Sequence, residues 1–153
     1  MARRSSDPFG NYRFIVELDS VQVAGFAECT GLQIETKVFE YQEGGRNETS
    51  LKFPETSSYS NITLKRGVTT SNALIDWQLD VVRGTFRTNA RNPRPQSTPP
   101  LAIILLDEQG TAAKRWNLIR AFPVKWIGPD LKAMGNEVAI ETLELTHEGI
   151  ERG

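Results

Sequence analysis

Apolar and polar positions alternate with a period of two along most of this chain, and the most informative stretch runs from Trp116 to Gly149. Lys114 to Phe122 reads as a strand with apolar residues at both parities: Trp116, Leu118 and Phe122 on one, Ile119 and Ala121 on the other. Pro123 has no N–H to give to a sheet ladder, so this strand is expected to end or leave its partner there. Gly128-Pro129-Asp130 and Gly135-Asn136 are turn signals. Glu137 to Glu148 is the longest strand candidate. Its apolar residues begin at even positions (Val138, Ile140) and switch to odd ones (Leu143, Leu145), which predicts a bulge or a passage between two buried environments. Apolar residues on both sides predict a sheet covered on both faces, with the next subunit as one cover.

The same pattern organises the rest. Tyr12 to Leu18 and Val21 to Glu28 read as strands, the second interrupted by a bulge at Gly25. In a third, Leu32 to Phe39, the positions Leu32, Ile34, Thr36 and Val38 form the inner face and Gln33, Glu35 and Lys37 the wetter one. Residues 41–60 hold glycines, Ser, Thr and Pro54 with few apolar positions, and read as a long extended loop. Ile62 to Gly67 is a short strand. Ser71 is placed as the N-cap of a helix over 71–83 that presents Leu74, Trp77 and Val81 on one face, turns Asp76 and Asp80 away and stops at Gly84. Residues 85–100 form a Pro-rich connector. Leu101 to Leu106 is a strand buried on both faces, joined by the turn Asp107-Glu108-Gln109-Gly110 to the Lys114 strand. These elements predict a single mainly β domain, 1–153, with an N-terminal arm over 1–11. Two packed antiparallel sheets, a sandwich or partly open barrel, would carry one flanking α-helix.

Composition narrows the function more than the fold. The net charge of −1 points to neither nucleic acid nor an anionic membrane, and no apolar run is long enough to span a bilayer. The N-terminal arginines Arg3 and Arg4 are followed by no apolar segment, so no Sec signal peptide is expected. The chain would be made in the cytoplasm and leave it by lysis or as part of a particle. One cysteine (Cys29) and one histidine (His147) exclude an internal disulfide and a Cys/His zinc set. There is no nucleophile elbow and no phosphate-binding glycine loop, and no carboxylate pair is singled out by spacing. His147 beside Glu148 reads as a strand-end hydrogen-bonding pair, and Cys29 as a small half-buried residue. Arg83, Arg87, Arg91 and Arg94 are the one basic concentration, open to phosphate contact but more simply a solvated loop or a partner for a neighbour's glutamates. Trp77, Trp116 and Trp126 sit in apolar patterns and read as core or interface. Neither an enzyme nor a cofactor or metal is expected.

Several of these stretches carry a family pattern. Ala121-Phe122-Pro123-Val124-Lys125-Trp126, Gly128-Pro129, Asn136 through Leu145 and His147-Glu148-Gly149 resemble the C-terminal signature of tail tube proteins from contractile-tailed phages and phage-like contractile injection systems. Asp7-Pro8-Phe9-Gly10-Asn11-Tyr12-Arg13-Phe14, Gly25 through Cys29, Gly31-Leu32, Glu40-Tyr41-x-Glu43-Gly44-Gly45 with Asn47, and Leu64-Lys65-Arg66-Gly67 extend the resemblance over nearly the whole chain. The connector over 85–100 looks longer and more proline-rich than the family's.

The resemblance implies hexameric rings in which the inner sheets of neighbours join into one continuous β-barrel, and rings stacked into a hollow tube. Partners would be the chain itself, a sheath protein, baseplate, hub and spike proteins, a tube-terminating cap, and effector or DNA cargo in the lumen, with no membrane insertion of its own. Tyr41, Glu43, Arg46, Asn47 and the arm near Arg3 and Arg4 are assigned to ring-to-ring contact. Glu35, Lys37, Glu141 and Glu144 are the lumen-facing candidates, although parity leaves open which face lines a tube and which packs inside a sandwich. Two alternatives stand beside this reading: a minor paralogue that starts the tube at the baseplate, and a small β-barrel ligand-binding module, which predicts a stable monomer and leaves residues 41–60 unexplained.

Overall fold

Pairing of the period-two segments accounts for most of the architecture. The computed structural model describes residues 13–18, 21–23, 26–42, 44, 50–83, 101–135 and 138–153. In chain order these form β1 (Phe14–Leu18), β2 (Val21–Val23), β3 (Phe26–Thr30), β4 (Ile34–Tyr41), β5 (Leu51–Tyr59), β6 (Ile62–Gly67), α1 (Ala73–Val82), β7 (Leu101–Leu106), β8 (Ala112–Ile119), β9 (Phe122–Ile127), β10 (Ile140–Thr146) and β11 (Gly149–Arg152). The strands make a five-stranded sheet in the order β11-β8-β7-β1-β2, a four-stranded sheet in the order β3-β6-β10-β9, and a two-stranded ribbon of β4 and β5. Every pairing is antiparallel.

The core lies between the two larger sheets. Val16, Leu101, Ile103 and Leu118 meet Phe26, Ile62, Leu64, Leu143 and Leu145, and Leu74 and Trp77 of α1 join the same cluster. Each such side chain contributes about 1.5–3 kcal/mol by leaving water. β7 lies between β1 and β8, and its run Leu101 to Ile104 is buried at both parities, as its unbroken apolar sequence predicts. The expected helix face is the packed one: Leu74 and Trp77 are buried, while Asp76 and Asp80 are exposed. Its N-cap is Asn72 without a side-chain hydrogen bond, and Ser71 Oγ instead accepts from the Ala73 N–H at 3.4 Å. The expected stop at Gly84, the bulge at Gly25, the Pro-rich connector and Arg87, Arg91 and Arg94 lie outside the described residues.

Four expectations are corrected. Residues 51–59 are not loop: β5 pairs with β4 in a long ribbon, and only residues 42–50 connect them. Pro123 does not end a strand. Arg120, at φ 46°, makes the break, and β9 starts at Phe122 with Pro123 as its second residue. β9 is an edge strand, where a missing N–H is tolerated. The inner face assigned to Leu32 through Val38 does not exist within one copy, because the described ribbon residues of β4 are exposed at both parities. His147 does not pair with Glu148. Its ring bridges the Ser60 and Gly149 carbonyls at 3.0 and 3.2 Å, while Glu148 pairs with Arg120.

Candidate functional site

Among the described residues no group of three or more His, Cys, Asp or Glu is placed to hold a metal ion. Burial pushes the Cys29 thiol up to about 11, which keeps it protonated and unreactive near neutral pH. Among the described residues no helix is long and apolar enough to cross a membrane. Surfaces able to meet other chains carry the information instead.

The first is the outer face of the four-stranded sheet. Register places Thr30, Thr63, Glu144 and Lys125 in one row across β3, β6, β10 and β9, and Glu28, Lys65, Thr142 and Ile127 in another. The row between them, Cys29, Leu64, Leu143 and Trp126, points the other way into the core. Pleating therefore splits the sheet into an apolar side and a wet side. The wet side mixes charges: Lys65 lies 3.9 Å from Glu28, and Asn61 donates to Glu144 at 3.0 Å. No single sign dominates these two rows.

Glu141 does not lie on that wet side. It is 6% exposed on the core parity, and Arg66, 2% exposed, donates to it through Nε at 2.5 Å. Trp126 Nε1 donates to its other oxygen at 3.2 Å, and Arg66 also reaches the Ser71 carbonyl at 3.2 Å and stands over the Phe26 ring. Each charge is paired and hydrogen-bonded, the condition under which a buried ion pair is tolerable. The odd-position Glu141 thus continues the buried set Leu143, Leu145, His147, and the apparent switch in the apolar pattern is an ion pair occupying a core position. Val138 and Ile140 lie on the exposed side, at 76% and 49%.

The second surface is the β4–β5 ribbon. Phe39 stands opposite Phe53 and Tyr41 opposite Leu51, with Thr36 hydrogen-bonded to Ser57 at 2.9 Å and Lys52 beside Glu40. Ile34, Val38, Phe39, Tyr41, Leu51 and Phe53 are each 45–57% exposed. An isolated two-stranded ribbon is marginal in water, and an apolar concentration of this kind marks an interaction surface. Tyr41, Glu35 and Lys37 all lie on this ribbon, so the last two share no sheet with Glu144. Glu43, Arg46, Asn47, Arg3 and Arg4 lie outside the described residues. Sequence reasoning missed Glu28, Thr63, Lys65, Lys125 and Thr142. The alternation Ile62-Thr63-Leu64-Lys65 marked two of them as wet, but only strand register sets them beside Glu144.

A family model described as T4-like virus tail tube protein gp19 matches residues 10–151. No curated protein matches the chain. Among solved structures, a chain of the anti-feeding prophage cap (AFP tube terminating cap) is 28% identical, with a TM-score of 0.77 over 100% of this chain and 95% of that one. A chain of the extended sheath-tube complex of PVC, an extracellular contractile injection system, is 27% identical, with a TM-score of 0.77 over 97% and 93%. A chain of the anti-feeding prophage baseplate is 26% identical, with a TM-score of 0.74 over 96% of each chain. The motif resemblance, the mainly β fold and a family match over nearly the full length agree, and the chain belongs to the T4-like virus tail tube protein gp19 family.

Proposed function

We propose that this chain is the repeating subunit of the inner tube of a contractile injection particle. Copies form hexameric rings, rings stack into a hollow conduit, and contraction of a surrounding sheath drives the conduit through a target envelope. The observation that carries this reading is the four-stranded sheet: one side is core, the other is a wet face of threonines and mixed charges, and its edges are β3 and β9. Because each of its pairings is antiparallel, β3 and β9 run in opposite directions. The β3 edge of a second copy therefore continues the sheet past β9 in antiparallel sense. Repeating that join head to tail closes a barrel without free edges, lined by Glu28, Thr63, Lys65, Lys125, Thr142 and Glu144. A lining of both signs lets a polar cargo slide without a strong binding site.

The apolar β4–β5 ribbon then serves contact with an adjacent ring or copy, in keeping with the assignment of Tyr41, Glu43, Arg46 and Asn47. Glu35 and Lys37 belong to that contact rather than to the lumen wall. Sheath, baseplate and cap are the partners that the solved relatives support, since those relatives come from sheath-tube, baseplate and cap structures. Hub and spike proteins, and protein or DNA cargo, complete the set. The role is mechanical and calls for no catalysis or cofactor, and the protein works within an assembled particle.

Negative-stain electron microscopy with light scattering on the purified chain tests this. Rings of six-fold symmetry or stacked tubes are expected. A chain that stays monomeric at high concentration, and still does so when baseplate components are added, overturns it. Growth that occurs only on those components identifies a tube protein that needs a baseplate template.

A further inference from the structure

The turn between β9 and β10 exposes apolar side chains that the fold itself does not use. Leu131 is 86% and Met134 99% exposed, with Asp130 and Lys132 on either side of Leu131. At the other edge of the same sheet, beside β3, the sandwich is open. A groove of about 560 Å³ there is floored by Phe14, Leu32, Leu105 and Trp116, and Arg13 and Glu28 stand on its lining.

We propose that the Asp130–Met134 turn of one copy docks into this groove on the next copy, with Leu131 and Met134 as the apolar anchors. The inference rests on the ring reading above. Two independent observations select a second copy as the occupant. The turn leaves the β9 edge and the groove flanks the β3 edge, so joining those edges head to tail brings turn and groove to the same junction. One charge also matches: docking sets Asp130 against an arginine, Arg13, on the groove's lining, while Glu28 stays paired with Lys65 on the wet face. The turn thus presents apolar groups flanked by an acid and a base, and the groove an apolar floor with an arginine at its rim, the arrangement of an interface with an apolar centre and a polar rim. Such a contact is heterologous: turn and groove are different surfaces of one molecule, so repetition builds a closed ring instead of stopping at a dimer. Docking the turn also withdraws from water the two most exposed large apolar side chains among the described residues.

A photo-reactive benzoyl-phenylalanine in place of Leu131, irradiated in assembled particles and mapped by mass spectrometry, tests the contact. The expected result is an adduct between two copies, with its acceptor in residues 13–14, 26–32 or 101–116. In a second variant, Asp130→Arg should lose ring formation, and adding Arg13→Asp to the same chain should restore it. Rings or tubes that form but cross-link position 131 elsewhere, or that assemble unchanged with Asp130→Arg, overturn the contact and leave the tube reading standing. A chain that never assembles removes both.

Discussion

Arg66 and Glu141 show how much a single core position can hide. Glu141 reads as a solvated carboxylate within an alternating strand, yet it occupies the same side as Leu143 and Leu145 and is satisfied by Arg66 and Trp126. Removing one partner strands a buried charge. Arg66→Ala should therefore cost about 3–5 kcal/mol in urea unfolding, and the apolar pair Arg66→Met with Glu141→Leu should recover most of it. Equal losses in the single and double variants would mean that the pair acts through the helix entry at Ser71 instead. Cys29 gives a pH-dependent signature. Its folded thiol titrates near 11 because burial disfavours the thiolate, so iodoacetamide should modify the native chain slowly at pH 8 and the urea-unfolded chain fast. The sign for stability follows: the contribution from this thiol is complete below about pH 9 and is lost as the pH rises through about 11. Comparison of wild type with Cys29→Ala over that range checks it, and identical slopes would contradict it.

At the scale of elements, the β4–β5 ribbon is the part that least resembled itself in the sequence. β5 reads Leu-Lys-Phe-Pro-Glu-Thr-Ser-Ser-Tyr, rich in Ser and Thr with a proline, and it buries no face against the body, so it carries no clean apolar alternation. Its existence depends on the register with β4, a long-range pairing that no local window contains. β6, β7 and α1 were legible because each packs a face into the core, and burial is what imposes periodicity on sequence. Phe39→Asp with Phe53→Asp should leave circular dichroism and the unfolding midpoint of the dissociated chain nearly unchanged, since both side chains are about half exposed, yet abolish tube growth. Loss of the fold itself would show that the ribbon belongs to the core of a single copy. Leu143→Ala, by contrast, empties a fully buried site and should cost about 2–5 kcal/mol in the same unfolding assay.

For the whole molecule, the decisive test of the proposed tube is whether the wet side of the four-stranded sheet faces a lumen or the outside. A Thr142→Cys substitution in a Cys29→Ser background places one thiol on the wet face, in the row of Glu28 and Lys65. In long assembled tubes this thiol should react with a small maleimide and resist one attached to a large polyethylene glycol, while the dissociated chain reacts with both. Ready labelling of intact tubes by the large reagent would put that face outside.

By itself the sequence determined the class: a mainly β domain with one helix, and a tube-family pattern spread from one end to the other. Periodicity follows from burial, and family motifs are local strings, so both survive in one dimension. Tertiary structure alone decided that Glu141 is core and Glu144 is wet, that β4 and β5 leave the body as a ribbon, and that the β9–β10 turn and the β3 groove stand at opposite edges of one sheet. Those facts depend on strand register and sheet order, which arise from contacts between residues far apart in the chain, and a list of residues does not contain them.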